Sequence, residues 1–256
     1  MAEPRVHPAR VGIRVSDVGR SAEFYRRIGG LRVREEDSER AALAAPDEGP
    51  VLLELRRAER RGPAPRRATG LFHTAFRYPT REQLGATLRA LVRQRAPLTG
   101  ASDHLVSEAL YLDDLDALGI ELYRDRPRDA WPPPDPGERI KMDTLPLDLR
   151  ALGAEAEGDA TGVRIGHVHL KVADVDEATR FWTQEVGLEL MAGWAGQAAF
   201  LAADGYHHHI GANTWYSRGA DPEPPEGPGL DAVVLGGTGR AEELRTPDGL
   251  RVVLER

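Results

Sequence analysis

The sequence predicts an α+β fold made of tandem βαβββ modules, and three observations carry that prediction. A stretch of the chain recurs at a fixed offset, 157 residues from Arg10 to His167, with Arg10-Val-Gly-Ile-Arg-Val-Ser-Asp17 laid on His167-Val-His-Leu-Lys-Val-Ala-Asp174. Both copies open with apolar residues at every second position, Val11, Ile13, Val15 and Val168, Leu170, Val172, the period of a half-buried strand. A further stretch, from Leu71 to Tyr123, shows the same order of strand, helix and strands.

Taken in order, unit one passes from its first strand to Asp17, a residue suited to cap a helix, then to a helical stretch carrying Phe24-Tyr25, and Gly30 supplies the stop. Unit two begins at Leu71-Phe-His-Thr-Ala-Phe76. Its helix places Leu84, Leu88, Leu91 and Val92 on one face, and it ends in two strands, Ala109–Leu112 and Gly119–Tyr123. The stretch 126–162 contains Trp131-Pro-Pro-Pro-Asp-Pro-Gly137 and many small residues, so it reads as a linker between an N-terminal pair of modules at 1–125 and a C-terminal pair at 163–256. Unit three repeats unit one, with Asp174 as cap, Phe181-Trp182 on the helix and Gly187 as stop. After the Pro-rich segment 221–229 only two strands are visible, Asp231–Leu235 and Leu250–Leu254, with too few residues between them for a helix. The fourth unit is therefore truncated, which leaves the partner of unit one open, a second copy of the chain included.

Composition narrows the chemistry. With 256 residues and 41% hydrophobic content the chain can bury a large core. A net charge of −7 with both signs intermixed gives no basic stripe for phosphates, so nucleic acid is not an expected partner. Having no cysteine, it can hold a metal only through His, Asp or Glu. No run approaches the 18 or so apolar residues of a membrane span, and Met1-Ala-Glu-Pro-Arg-Val-His-Pro8 lacks the apolar core of a leader, so a cytoplasmic location is expected.

Four such units, with the aromatic pair on the first helix and Gly-Leu after it, resemble the vicinal-oxygen-chelate superfamily of glyoxalases, bleomycin-resistance proteins and extradiol dioxygenases. The strings Asp103-His-Leu-Val-Ser-Glu-Ala-Leu-Tyr-Leu112, Gly119-Ile-Glu-Leu-Tyr-Arg-Asp-Arg-Pro127 and Gly205-Tyr-His-His-His-Ile-Gly-Ala-Asn-Thr-Trp215 are similar to signatures of its catechol-2,3-dioxygenase group. The resemblance implies open-barrel sheets with helices outside, and a metal held between paired modules by side chains of first and last strands.

Those positions can be inspected one by one. Unit one offers Arg10, whose permanent positive charge cannot ligate a cation, and unit four offers no histidine. Units two and three offer His73, Glu121 and His167, with His169 as the runner-up ligand because it shares a strand face with His167. Two imidazoles and one carboxylate suit iron(II), with manganese(II) the other candidate, and leave coordination positions for both oxygens of a catechol and for dioxygen. The resemblance further implies that His208, within His207-His208-His209, is the acid-base residue, with His207 and His209 of lesser effect. It places Tyr111 and His104 against the substrate. The expected partners are a small aromatic diol and dioxygen. The competing readings are a Lewis-acid lyase, isomerase or epimerase of the glyoxalase type, which usually carries a second carboxylate, and a non-catalytic small-molecule binding protein of the same fold.

Overall fold

The computed structural model describes residues 6–46, 49–158 and 161–256. Most of the N-terminal stretch read above as lacking a leader, and Asp159–Ala160 of the linker, lie outside them. Module one is β1 (His7–Val15), α1 (Val18–Gly29), β2 (Arg32–Glu36), β3 (Arg40–Ala44) and β4 (Val51–Arg57). Module two is β5 (Gly70–Arg77), α2 (Arg81–Gln94), β6 (Leu98–Asp103), β7 (Ser107–Asp113) and β8 (Gly119–Asp125). The intervening stretch carries β9 (Leu145–Pro146) and α3 (Leu149–Ala154). Module three follows with β10 (Arg164–Lys171), α4 (Val175–Phe181), a π turn Trp182–Val186, β11 (Glu189–Trp194), β12 (Ala198–Ala202) and β13 (Ile210–Asn213). Module four is β14 (Gly229–Gly236), β15 (Glu242–Arg245) and β16 (Arg251–Leu254), and among the described residues it lacks a helix and one strand.

The local signals act as their chemistry requires. The Asp17 and Asp174 side chains accept from backbone N–H groups of the first turns of α1 and α4, and Gly30 and Gly187 take left-handed conformations at φ 67° and 90°, where a side chain would be strained. In α2, Leu84, Leu88 and Leu91 are buried, whereas Val92 is 65% exposed. It lies about 80° round the helix from Leu84, at the edge of the apolar stripe, so its expected burial is corrected. Strands β6 and β15 were not foreseen. Leu98-Thr-Gly-Ala-Ser-Asp103 and Glu242-Glu-Leu-Arg245 each carry a single large apolar residue, too little for a visible alternation.

Two mixed sheets result, in the orders β15-β16-β14-β1-β4-β3-β2 and β11-β12-β13-β10-β5-β8-β7-β6-β9. In both, the first strands of two modules pair antiparallel at the centre, β1 with β14 and β5 with β10. Each first strand also runs parallel to the last strand of its own module. Module one thus finds its partner in module four of the same chain, which answers the question the truncation raised. One apolar cluster joins the sheets, running from Val11, Ile13 and Leu53 of the first to Ile165, Val168 and Leu170 of the second. No helix among the described residues is long and apolar enough to cross a membrane.

Candidate active site

The second sheet brings the candidate residues together through its register. Across four neighbouring strands one row reads Tyr111, Glu121, Ala75, His167, since Tyr111 faces Glu121, Glu121 faces Ala75 and Ala75 faces His167. The next row reads Gly119, His73, His169, Gly211. Small residues occupy the places where large ones would collide. Ala75 separates Glu121 from His167 without filling the space between them. A Cβ at Gly119 would strike the Phe72 carbonyl oxygen, and one at Gly211 would come within 2.9 Å of the His169 ring.

Three ligand atoms converge above these rows. His73 Nε2 lies 3.2 Å from His167 Nε2, and each lies 2.9 Å from Glu121 Oε2. Donors about 2.1 Å from a cation are about 3.0 Å apart at right angles and about 3.4 Å apart in a tetrahedron, so these spacings fit one face of an octahedron. All three residues are buried, and they form a cluster of potential metal ligands. Burial drives His167 down to about 4 against the opposing pull of Glu121, leaving its imidazole neutral at pH 7. Burial pushes Glu121 up, but His167 and His73 outweigh it and hold the carboxyl well below its usual range. A neutral imidazole beside an ionised carboxylate is the state a divalent cation requires. The nearby arginines are occupied elsewhere: Arg124 and Arg126 close on Glu108, and Arg126 also on Asp103.

A cavity of about 690 Å³ opens over the cluster, within the range of about 300–1,000 Å³ usual for small-molecule sites. Tyr111, His104, His169 and His208 line it. The Tyr111 hydroxyl meets His104 Nε2 at 2.7 Å, and His104 Nδ1 donates to the Asp143 carbonyl at 2.7 Å, so the phenol is the donor toward His104. Burial, reinforced by Glu121, holds the Tyr111 hydroxyl well above its usual range, so it stays protonated. The turn that aims His104 contains Leu105 at φ 70°, a left-handed conformation fixed by the Asp103 side chain accepting from its N–H. His169 stands one step outside the cluster, against Phe72 and Trp215, with its buried Nε2 lacking a hydrogen-bond partner among the described residues.

The three consecutive histidines separate cleanly. His208 faces the cavity, its ring 4.1 Å from that of His167, and burial holds it well below the usual imidazole range. His207 is fully enclosed behind it, with Nε2 2.8 Å from Asp125 Oδ1. His209 turns away to stack on Tyr206 and lines a different cavity with His7 and Arg164. Reading the letters missed Asp125 and the aromatic wall of Phe72, Trp194, Phe200 and Trp215. A signal for Asp125 was present, because Glu121, Tyr123 and Asp125 fall on one face of β8, an unusual polar row for a buried strand.

Comparison with known proteins agrees with this architecture. Residues 7–123 match the family model of the Glyoxalase/Bleomycin resistance protein/Dioxygenase superfamily. Over 239 residues, 90% of this chain and 82% of the relative, the sequence is 39% identical to catechol-2,3-dioxygenase of Bacillus subtilis (strain 168). The chain belongs to this superfamily, in its catechol-2,3-dioxygenase-like group. Solved superfamily structures share the fold. Glyoxalase I from Zea mays superposes with a TM-score of 0.57 at 16% identity, over 97% of this chain and 92% of that one. A Bacillus subtilis crystal structure provisionally assigned as a dioxygenase gives 0.62 at 11% identity, over 97% and 84%. At such identities these two speak for the superfamily fold alone.

Proposed function

We propose that the chain is an extradiol ring-cleaving dioxygenase, acting on a catechol-type substrate at a non-haem iron(II) site. The observation that carries this reading is the buried cluster of His73, Glu121 and His167, with facial spacing, opening into one cavity with Tyr111, His104 and His208. Manganese(II) would suit the same donor set. His73, Glu121 and His167 would hold the iron(II) ion, which when bound would supply the redox chemistry between a catechol and dioxygen. The chain's own residues do the rest. His208, neutral at pH 7, can take a catechol proton and return it later, as general bases that become general acids do. Tyr111, whose hydrogen goes to His104, presents its hydroxyl oxygen beside Glu121, where it can accept from a substrate hydroxyl. The aromatic wall fits the faces of a ring, and its extent supports a catechol with an apolar substituent. The single carboxylate in the cluster weighs against the glyoxalase-type reading.

The test is oxygen uptake by anaerobically iron-loaded protein supplied with a panel of substituted catechols. One dioxygen consumed per substrate, with a yellow ring-opened semialdehyde formed, is the expected result. Iron-loaded protein that consumes no oxygen with any member of the panel would overturn the proposal.

A further inference from the structure

Behind His208 lies a buried chain of hydrogen bonds that the ring-cleavage reading leaves unused. His207 Nδ1 is 2.8 Å from His208 Nδ1, and His207 Nε2 is 2.8 Å from Asp125 Oδ1. Asp125 also accepts from the Tyr206 hydroxyl at 2.9 Å, and Tyr206 in turn meets the Tyr123 hydroxyl at 2.7 Å. The His207 side chain is 0% exposed and lies between the rings of Tyr206 and Trp131, the latter from the Pro-rich stretch after module two.

We propose that Asp125 and His207 are positioning residues that hold His208 in one orientation and one tautomer, with its Nε2 lone pair presented to the cavity. An ionised carboxylate can only accept, so His207 Nε2 carries the hydrogen of the first bond. Burial alone would favour a protonated Asp125, but the bond from His207 and the electrostatic pull of His207, then that of Arg77, outweigh it and keep the group below its usual range. With its hydrogen on Nε2, His207 presents the lone pair of Nδ1, so the second bond takes its hydrogen from His208 Nδ1. That leaves Nε2 as the bare acceptor of a ring that lines the cavity. The reverse assignment, with a hydrogen on His207 Nδ1, would turn an N–H toward the substrate. His207 and His208 lie in the bend before β13, where strand alternation does not fix which way their rings point.

The kinetic part of this inference rests on the ring-cleavage reading, and the tautomer part does not. Long-range proton–nitrogen NMR spectra of the histidine-labelled, metal-free chain report each ring nitrogen separately. The expected spectrum has a pyridine-type Nε2 and pyrrole-type Nδ1 for His208, with the opposite pair for His207. In Asp125→Asn and His207→Phe the His208 signals should move toward a mixture of tautomers. His207→Asn, whose Oδ1 can take the place of Nδ1 as acceptor, should restore the single form. In the iron-loaded enzyme, His207→Phe should lower kcat roughly 10- to 100-fold with KM and iron content unchanged, and His207→Asn should recover most of the loss. A pyrrole-type Nε2 on wild-type His208 overturns the proposal. So does an unchanged His208 spectrum in Asp125→Asn, the variant that decides if His207→Phe fails to fold. Wild-type protein with the expected spectrum but no oxygen uptake would sink the ring-cleavage reading and leave the relay standing.

Discussion

At the scale of single residues, burial sets the charge states in the site. His167 is neutral because it is buried, and Glu121 stays ionised because two imidazoles face it at 2.9 Å. His208 touches the cluster through ring contact with His167 but is not among its convergent ligand atoms. His208→Phe should therefore retain iron and still bind catechol, while turnover falls by roughly 10²- to 10⁴-fold, the range for a lost general acid or base. Elemental analysis beside steady-state kinetics checks this, and a His208→Phe protein without iron would make His208 a ligand. These residues were legible in the sequence because each is a rare type at a position with strict spacing. Asp125 was not singled out, since one more acidic residue among many gains meaning only when the fold sets it against His207.

At the scale of elements, the site depends on strand register and on small residues that let strands close up. His73 sits opposite Gly119, whose missing Cβ leaves room for the Phe72 carbonyl of the neighbouring strand. Gly119→Ala should push β5 from β8, destabilise the fold by about 1–3 kcal/mol as overpacking does, and weaken iron binding by displacing His73 from Glu121. Denaturant unfolding and iron titration would show both effects, and an unaltered pair of values would mean that the register does not set the ligand spacing. The first strands and helix caps were readable because alternation and capping chemistry are local. Strands β6 and β15 were not, being defined by pairing with β7 and β16 and not by their own apolar pattern. The burial of Val92 failed for a related reason: helical periodicity marks a stripe, while the packed neighbours decide where the stripe ends.

At the scale of the whole molecule, two sheets are assembled by pairing module one with module four and module two with module three, and buried polar contacts tie them together. Tyr25 of α1 donates to Asp114, between β7 and β8, at 2.9 Å, and Ser16 N donates to Asp116 at 2.8 Å. Burial raises the Asp114 carboxyl to about 6, despite bonds from the Leu118 and Asp116 N–H groups and from Tyr25. A carboxyl raised above its unfolded value near 3.8 binds its proton more tightly in the folded state. Its contribution to stability is thus largest below that value and falls as pH rises toward 6, by up to about 3 kcal/mol. Asp114→Asn should flatten the stability profile between pH 4 and 6, measured by denaturant unfolding at each pH, and an unchanged slope would contradict the assignment. Pairing of modules two and three was legible because, at the expected ligand positions, Arg10 of module one and the lack of a histidine in module four left only them to supply two imidazoles and a carboxylate, whereas pairing of one with four needed the observed register of β1 on β14. This assembly creates the cluster of His73, Glu121 and His167. Elemental analysis of anaerobically loaded protein tests metal binding there: about one iron per chain is expected in the wild type and in His169→Ala, with tight binding lost in His73→Ala, Glu121→Ala and His167→Ala. Full iron in His167→Ala together with its loss in His169→Ala would contradict the account.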